Sequence, residues 1–286
     1  MKLSHIILYV NDKSISDDIK IFCANVTMGG GCNDINCLHN IEKINDFLPQ
    51  KDETFMLSDD EEAIRAAESV GIGSAAILSD AAADCGFAGV LYCIEDIAAM
   101  DYRAIERMYM RYKHIPWTIA VTDRLIIREQ TPEDIDALYE IYSDPSTYEY
   151  TDNLYEDRDR EEAFMRDYIV NQYRLYEYGI WALESKSDGR LIGRAGISDR
   201  EGLNEPEIGY VIAAECRRQG YATEALNAIA DYAVNELGMT KLCALTRPEN
   251  EASIGLLKKM GYEKCGEFEI DNIAHDKYVL DIDVRL

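Results

Sequence analysis

The chain is short of positive charge, proline, histidine and tryptophan. Its 286 residues carry 54 Asp and Glu against 29 Lys and Arg, a net charge of −25 shared between both halves. A surface this acidic repels phosphate backbones and argues against nucleic acid as a partner. It draws in cations, although acidity serves solubility equally well. Six prolines and 18 glycines are too few and too scattered for a fibrous or disordered chain. No apolar run reaches the ~18 residues a spanning helix needs, and Met1–Val10 is too short for a secretory leader. The expectation is a cytoplasmic protein with no membrane segment. The eight cysteines, at 23, 32, 37, 85, 93, 216, 243 and 265, form no CxxC pair. Cys32, Cys37 and His39 gather loosely, but free reduced thiols are the better reading, and no metal site is expected.

Hydrophobic residues make up 47% of the chain, enough for sizeable cores, and the length suits two ordinary domains. In the first, His5–Val10 reads as a buried strand and Ser14–Ala24 as a helix with Ile15, Ile19 and Phe22 on one face. Gly29–Gly31 fits a flexible turn better than a phosphate cradle, because no helix-opening motif follows it. Thr54–Leu57 predicts a strand, Asp59–Val70 a helix closed by Gly71 and Gly73, and Ser74–Leu78 a second buried strand. Phe87–Cys93 suggests a third, and Ile94–Tyr112 a closing helix. Such alternation implies βαβ units on a parallel sheet, so residues 1–115 are expected to form a small α/β domain. Residues 116–123, with Pro116 as breaker and Trp117 as anchor, read as a linker.

From Arg124 the pattern changes, and residues 124–286 are expected to form a second domain. Leu125–Arg128 is a strand. Thr131-Pro-Glu-Asp opens a helix with a Thr cap, proline in the first turn and acids at the positive end. A second helix, Asp159–Tyr176, precedes strands at Ile180–Glu184 and Leu191–Ser198 joined through Asp188–Gly189. Glu207–Ala213 is a strand, Tyr221–Leu237 a helix, Lys241–Thr246 a strand and Glu251–Met260 a helix. Tyr262–Phe268 and His275–Val284 complete the order. The whole is α/β (α+β) in class, with a parallel sheet first and a mixed sheet flanked by helices second.

The stretch with most chemical content is Glu215-Cys-Arg-Arg-Gln-Gly-Tyr-Ala222, where a strand turns into a helix. Small residues at Gly220 and Ala222 let main-chain amides approach a ligand. The helix start favours an anion, and Arg217 and Arg218 add cationic donors. An ordinary helix cap explains the turn almost as well. Arg217-x-x-Gly220-x-Ala222 resembles the coenzyme A diphosphate signature of the GNAT superfamily of N-acetyltransferases. Glu207–Tyr210 resembles its fourth strand, and Asn250-x-x-Ser253 with Gly261–Tyr262 its next helix and strand. The likeness spans roughly residues 124–284 and is nearest to the ribosomal-protein alanine/serine branch, which also includes enzymes acting on small amines.

The resemblance implies acetyl transfer from acetyl-CoA to a primary amine, a protein N-terminus or a small and preferably cationic acceptor. It implies main-chain pairing of Tyr210, Val211 and Ile212 with the pantetheine arm, and an oxyanion held by the Ile212 N–H. Diphosphate contacts would come from Arg217, Arg218, Gln219, Gly220, Tyr221 and Ala222, and further cofactor contacts from Asn250 and Ser253. Glu207 is the first candidate base, with Ser198 and Glu205 behind it, and a purely structural Glu207 is an equal alternative. The family's usual tyrosine acid is replaced by Leu257, which leaves Ser253 as candidate acid, or no protein acid at all because a thiol is a good leaving group, and a non-catalytic acyl-CoA sensor as the rival function. The tyrosine- and acid-rich segment Tyr142–Tyr155 suits a cation, or is a plain polar loop. A homodimer is the expected assembly. Finally, Thr54–Leu78 resembles part of a haloacid dehalogenase-type domain. Asp59 matches one magnesium carboxylate, Ala63 replaces a second, and the early strand lacks the nucleophilic Asp-x-Asp, so a non-catalytic docking domain is expected.

Overall fold

The computed structural model describes residues 2–28, 34–80, 87–151 and 153–282, and the chain falls into two compact units, Met1–Ile115 and Pro116–Leu286. The triple glycine, Cys32 and Cys85 lie outside the described residues.

In the first unit, strands β1 (His5–Tyr9), β2 (Asp34–Cys37), β3 (Thr54–Ser58), β4 (Gly73–Ile77) and β5 (Cys93–Ile94) form a parallel sheet in the order β2-β1-β3-β4-β5. Alternation along the strands sorts the core into two layers. Ile6, Leu8, Phe55 and Leu57 pack with Phe22 and Val26 of α1 (Ser16–Met28) and with Ile105 and Tyr109 of α3 (Tyr102–Tyr112). Ile7 and Met56 pack on the other face with Ala63 and Ala67 of α2 (Glu61–Ser69). The Asp60 side chain caps α2 by accepting from the Ala63 N–H. The strand expected at Phe87–Cys93 shrinks to β5, because Gly89 turns the chain with a φ of +88°. Likewise, the long helix expected from Ile94 is interrupted, with α3 starting only after the Asp101 cap.

The second unit is built on an eight-stranded mixed sheet in the order β12-β13-β11-β10-β9-β8-β7-β6. Its strands are β6 (Thr118–Val121), β7 (Leu125–Arg128), β8 (Ile180–Ser185), β9 (Leu191–Ser198), β10 (Glu207–Ile212), β11 (Lys241–Thr246), β12 (Glu263–Ile270) and β13 (Ile273–Asp281). Helices α4 (Ile135–Tyr142), α5 (Arg158–Tyr176), α6 (Tyr221–Asn235) and α7 (Glu251–Lys259) flank it. The expected linker at 116–123 is a correction. Thr118–Val121 is an edge strand pairing with β7, and Trp117 is buried while its N–H donates to Glu129 Oε2 at 3.1 Å. Ile119 is buried against the sheet, whereas Val121 stays exposed at the edge.

Antiparallel partners place their side chains on one face, so register tells the two faces apart. Trp181, Ala195 and Tyr210 lie in one row, and Trp181 meets Tyr232 of α6 edge-on at 5.5 Å. That is the α6 face. Val211 pairs with Arg194, whose guanidinium donates to the Tyr142 hydroxyl of α4 at 2.6 Å. Glu207, four residues before Val211, shares this α4 face.

Candidate active site

All neighbouring strands of the second sheet are antiparallel except β10 and β11, which run parallel and pair only at Glu207↔Cys243. Beyond that point they separate into a wedge. Strand periodicity identifies the main-chain groups that line it. The Ala213 N–H donates to Ile192 O of β9 at 2.8 Å, and the Cys243 N–H donates to Pro206 O at 2.9 Å. The amides of Tyr210 and Ile212 therefore point toward β11, which no longer pairs with them. The Val211 amide points to β9 instead, so Val211 cannot supply the arm contact expected of it. Thr246, at the open end of β11, is buried and its hydroxyl has no hydrogen-bond partner among the described residues. A wedge with unpaired strand amides and an orphaned hydroxyl fits an extended ligand that carries its own amide groups.

The turn after β10 ends at the N-terminus of α6. Gly220 caps that helix in the left-handed region with a φ of +87°, and no side chain caps it. Arg218 also lies in that region, with a φ of +58°. The result is a run of outward amides backed by a helix dipole. Arg217 does not reach out as expected. Its guanidinium donates to Ile212 O at 2.9 Å, Ser146 Oγ at 2.7 Å and Thr147 Oγ1 at 2.8 Å, which ties the turn to the loop after α4. Arg218 is exposed and has no side-chain partner among the described residues. Gln219 donates to Glu215 O, and its own carbonyl accepts from Arg124 at 2.9 Å. Arg124 also sits 4.2 Å over the Tyr221 ring and pairs with Glu224 at 2.6 Å. This Arg124–Glu224 clamp was not apparent in the sequence. Burial acts to raise the Glu224 pKa, but hydrogen bonds from Thr122 and Arg124 outweigh it and hold the carboxyl below its ordinary value.

The remaining expected residues fall on both sides of the wedge. Asn250 caps α7, its side chain accepting from the Ser253 N–H at 3.1 Å. Burial raises the Tyr210 phenol above its ordinary pKa, and Ser253 acts in the opposite direction. Leu257, one turn along α7, is buried at 1% exposure and carries no acid. Glu207 is largely shielded, and its Oε2 accepts from Arg200 Nε at 2.6 Å. Glu205 is engaged by Lys277 at 2.7 Å. Cys243, at the apex, has its thiol pushed up to about 12 by burial, with the nearby Glu207 carboxylate adding to the effect.

A splayed parallel pair leading to a helix start that no side chain caps has the geometry to take an extended ligand that ends in an anion. The acetyltransferase (GNAT) domain family matches residues 124–263. The uncharacterised N-acetyltransferase YoaA of Bacillus subtilis is 32% identical over 150 residues, 52% of this chain and 84% of the relative. The uncharacterised N-acetyltransferase p20 of Bacillus licheniformis is 30% identical over 148 residues, 51% of this chain and 82% of the relative. A structure of the ribosomal α-N-protein acetyltransferase RimL with coenzyme A shares the fold at a TM-score of 0.50 and 16% identity, covering 58% of this chain and 99% of that one. The chain belongs to the GNAT family, and it is an acetyl-CoA-dependent N-acetyltransferase. Among the described residues no helix is long and apolar enough to cross a membrane, and no cluster of His, Cys, Asp and Glu is placed to hold a metal ion.

Proposed function

We propose that the second unit acetylates a primary amine, either a protein N-terminus of the kind handled by the ribosomal-protein branch or a small cationic amine. The observation that carries this reading is the single β10–β11 pair, which frees the Tyr210 and Ile212 amides. The pantetheine arm pairs with them as an added strand would. The diphosphate sits on the amides of residues 218–222, with the exposed Arg218 beside it. Arg217 acts by fixing the turn, and Asn250 by starting α7. Tyr210 lies nearer the closed end of the wedge than Ile212, so its N–H is the better donor to the oxyanion that forms as the amine attacks.

The amine enters from the α4 face, where Glu207 projects. Its ion pair with Arg200 fixes the carboxylate, which takes the amine's proton directly or through a water. The loop after α4 closes this side. Arg217 holds it at Ser146 and Thr147, and Arg247 donates to Glu149 O at 3.3 Å. Its Tyr148, Glu149 and Tyr150 offer an acidic and aromatic wall for a cation. Replacing the three together with Ala raises the acceptor KM and leaves that of acetyl-CoA unchanged. An unchanged acceptor KM removes the loop from the reading.

In the same reading the protein works as a homodimer in the cytoplasm, and the first unit is non-catalytic. Asp59, the residue that matches a magnesium carboxylate, is buried and accepts the N–H groups of Asn11 and Asp12 at 2.8 Å each. Its oxygens hold the exit of β1. Thiol release from acetyl-CoA across a panel of amines and N-terminal peptides tests the function. The account predicts turnover with at least one class, and bound acetyl-CoA without turnover on any acceptor favours a sensor.

A further inference from the structure

Strands β9 and β10 hold three glycines, and packing explains two of them. A Cβ at Gly193 would strike the Val211 carbonyl oxygen, and one at Gly196 the Gly179 carbonyl oxygen. Gly209 has no such reason. A Cβ built there meets no atom of the described residues within 4 Å, and its φ lies outside the left-handed region. Neither packing nor backbone geometry asks for glycine. In the interior of a strand glycine costs stability, because it loses more chain freedom on folding and packs no side chain. Gly255 and Gly266 are open in the same way, but both are exposed, one on α7 and one on the edge strand β12. Gly209 is half-buried within the sheet.

Its place supplies the reason. Side chains alternate along a strand, so the missing one belongs to the α4 face, between Glu207 and Val211, with Glu207 about 7 Å away. Across the wedge, Leu245 shares this face, two residues on from the Cys243 that pairs with Glu207. The opening therefore has a carboxylate at one end and aliphatic side chains at the other end and on the far wall. The peptide that leaves Gly209 carries the Tyr210 N–H. Resting on Glu207 as base and on that N–H as the oxyanion donor, we propose that Gly209 is a specificity-determining residue for the acceptor. The space over it seats the carbon that bears the amine, together with a small aliphatic substituent on that carbon. An amine nitrogen held between Glu207 and the acetyl carbon has its own carbon above Gly209. A side chain at 209 would take the place of the substituent. The glycine thus admits amines on branched carbons, as in the first residue of a peptide, where any larger residue would leave room only for an unbranched amine.

The test is calorimetry with two conjugates, in which the sulfur of coenzyme A is joined through a –CH2–CO– bridge to the nitrogen of alaninamide or of glycinamide. They place the amine-bearing carbon beyond the acetyl position and need no turnover. The parent should bind the alaninamide conjugate at least as tightly as coenzyme A. Gly209→Ala should keep its affinity for coenzyme A within about twofold and lose about tenfold for the alaninamide conjugate, because a methyl forced into filled space costs about that much. The glycinamide conjugate should lose markedly less. Gly209→Ala should also melt no lower than the parent, since the new methyl meets no atom of the empty protein. Unchanged affinity of the variant for the alaninamide conjugate overturns the proposal, as does a parent that binds coenzyme A but binds this conjugate more weakly. An equal loss for the glycinamide conjugate overturns the seat for the substituent. An equal loss for coenzyme A alone assigns the glycine to the cosubstrate, and a lower melting temperature makes it a packing residue; either result overturns the proposal. If the parent binds neither coenzyme A nor the conjugates, the wedge itself is not the coenzyme site, and the proposal falls with that reading.

Discussion

The two sheets are made from similar apolar strands, yet only one can hold a cosubstrate. In the first unit β3 pairs with β1 at five positions and with β4 at four, so its central strand is paired along both sides. In the second, β9 and β10 pair at six positions, while β10 and β11 pair at one. Continuous pairing yields a closed scaffold in which polar groups at the sheet's edge serve the chain itself, as Asp59 does. Interrupted pairing leaves amides that a ligand must satisfy, because a buried unpaired donor costs roughly 1–3 kcal/mol. The difference between a platform and a site lies in register more than in composition.

Substitutions on the two sides should break this symmetry. The largest effect is expected from Gly220→Val. A left-handed φ costs a side chain roughly 1–2 kcal/mol, more when it is β-branched, so acetyl-CoA affinity should fall by about tenfold or more in calorimetry. Asp59→Asn in the first unit should lower stability by roughly 1–3 kcal/mol and leave both KM values and kcat unchanged. A parallel loss of turnover would mean that the first unit serves the chemistry. Glu224→Gln should cost roughly 1–2 kcal/mol near neutrality. Because the folded Glu224 pKa is depressed, its contribution is present above the ordinary carboxyl range and lost as pH falls through the folded value. The gap between parent and variant in urea melts should therefore close in acid. The smallest effect concerns thiols. With its pKa near 12 and full burial, Cys243 should resist alkylation in the native protein at neutral pH, whereas Cys37, Cys93 and Cys265 are exposed and should react.

Much of this organisation was legible in the amino-acid order. The cap at Thr131-Pro-Glu-Asp, the Asp188–Gly189 turn and the strand from Glu207 are local signals, and each formed where its chemistry required. What escaped depends on partners distant in the chain. Thr118–Val121 looks like a linker until β7 is beside it. Val211 resembles its neighbours until the position of β9 decides which amides face the wedge. Arg217 reads as an anion donor, but Ser146 and Thr147 claim its guanidinium. Glu207 and Arg200 lie close in sequence, yet only the turn between β9 and β10 sets them face to face. The opening between β10 and β11 has no local signature, because it is the absence of a register.

Hydrogen exchange with and without acetyl-CoA tests the central claim most directly. Binding should slow exchange at Tyr210, Ile212 and the amides of residues 218–222, and leave β1, β3 and β4 unchanged. Protection confined to other segments, or none at saturating acetyl-CoA, would contradict a cosubstrate held by the open edge of β10.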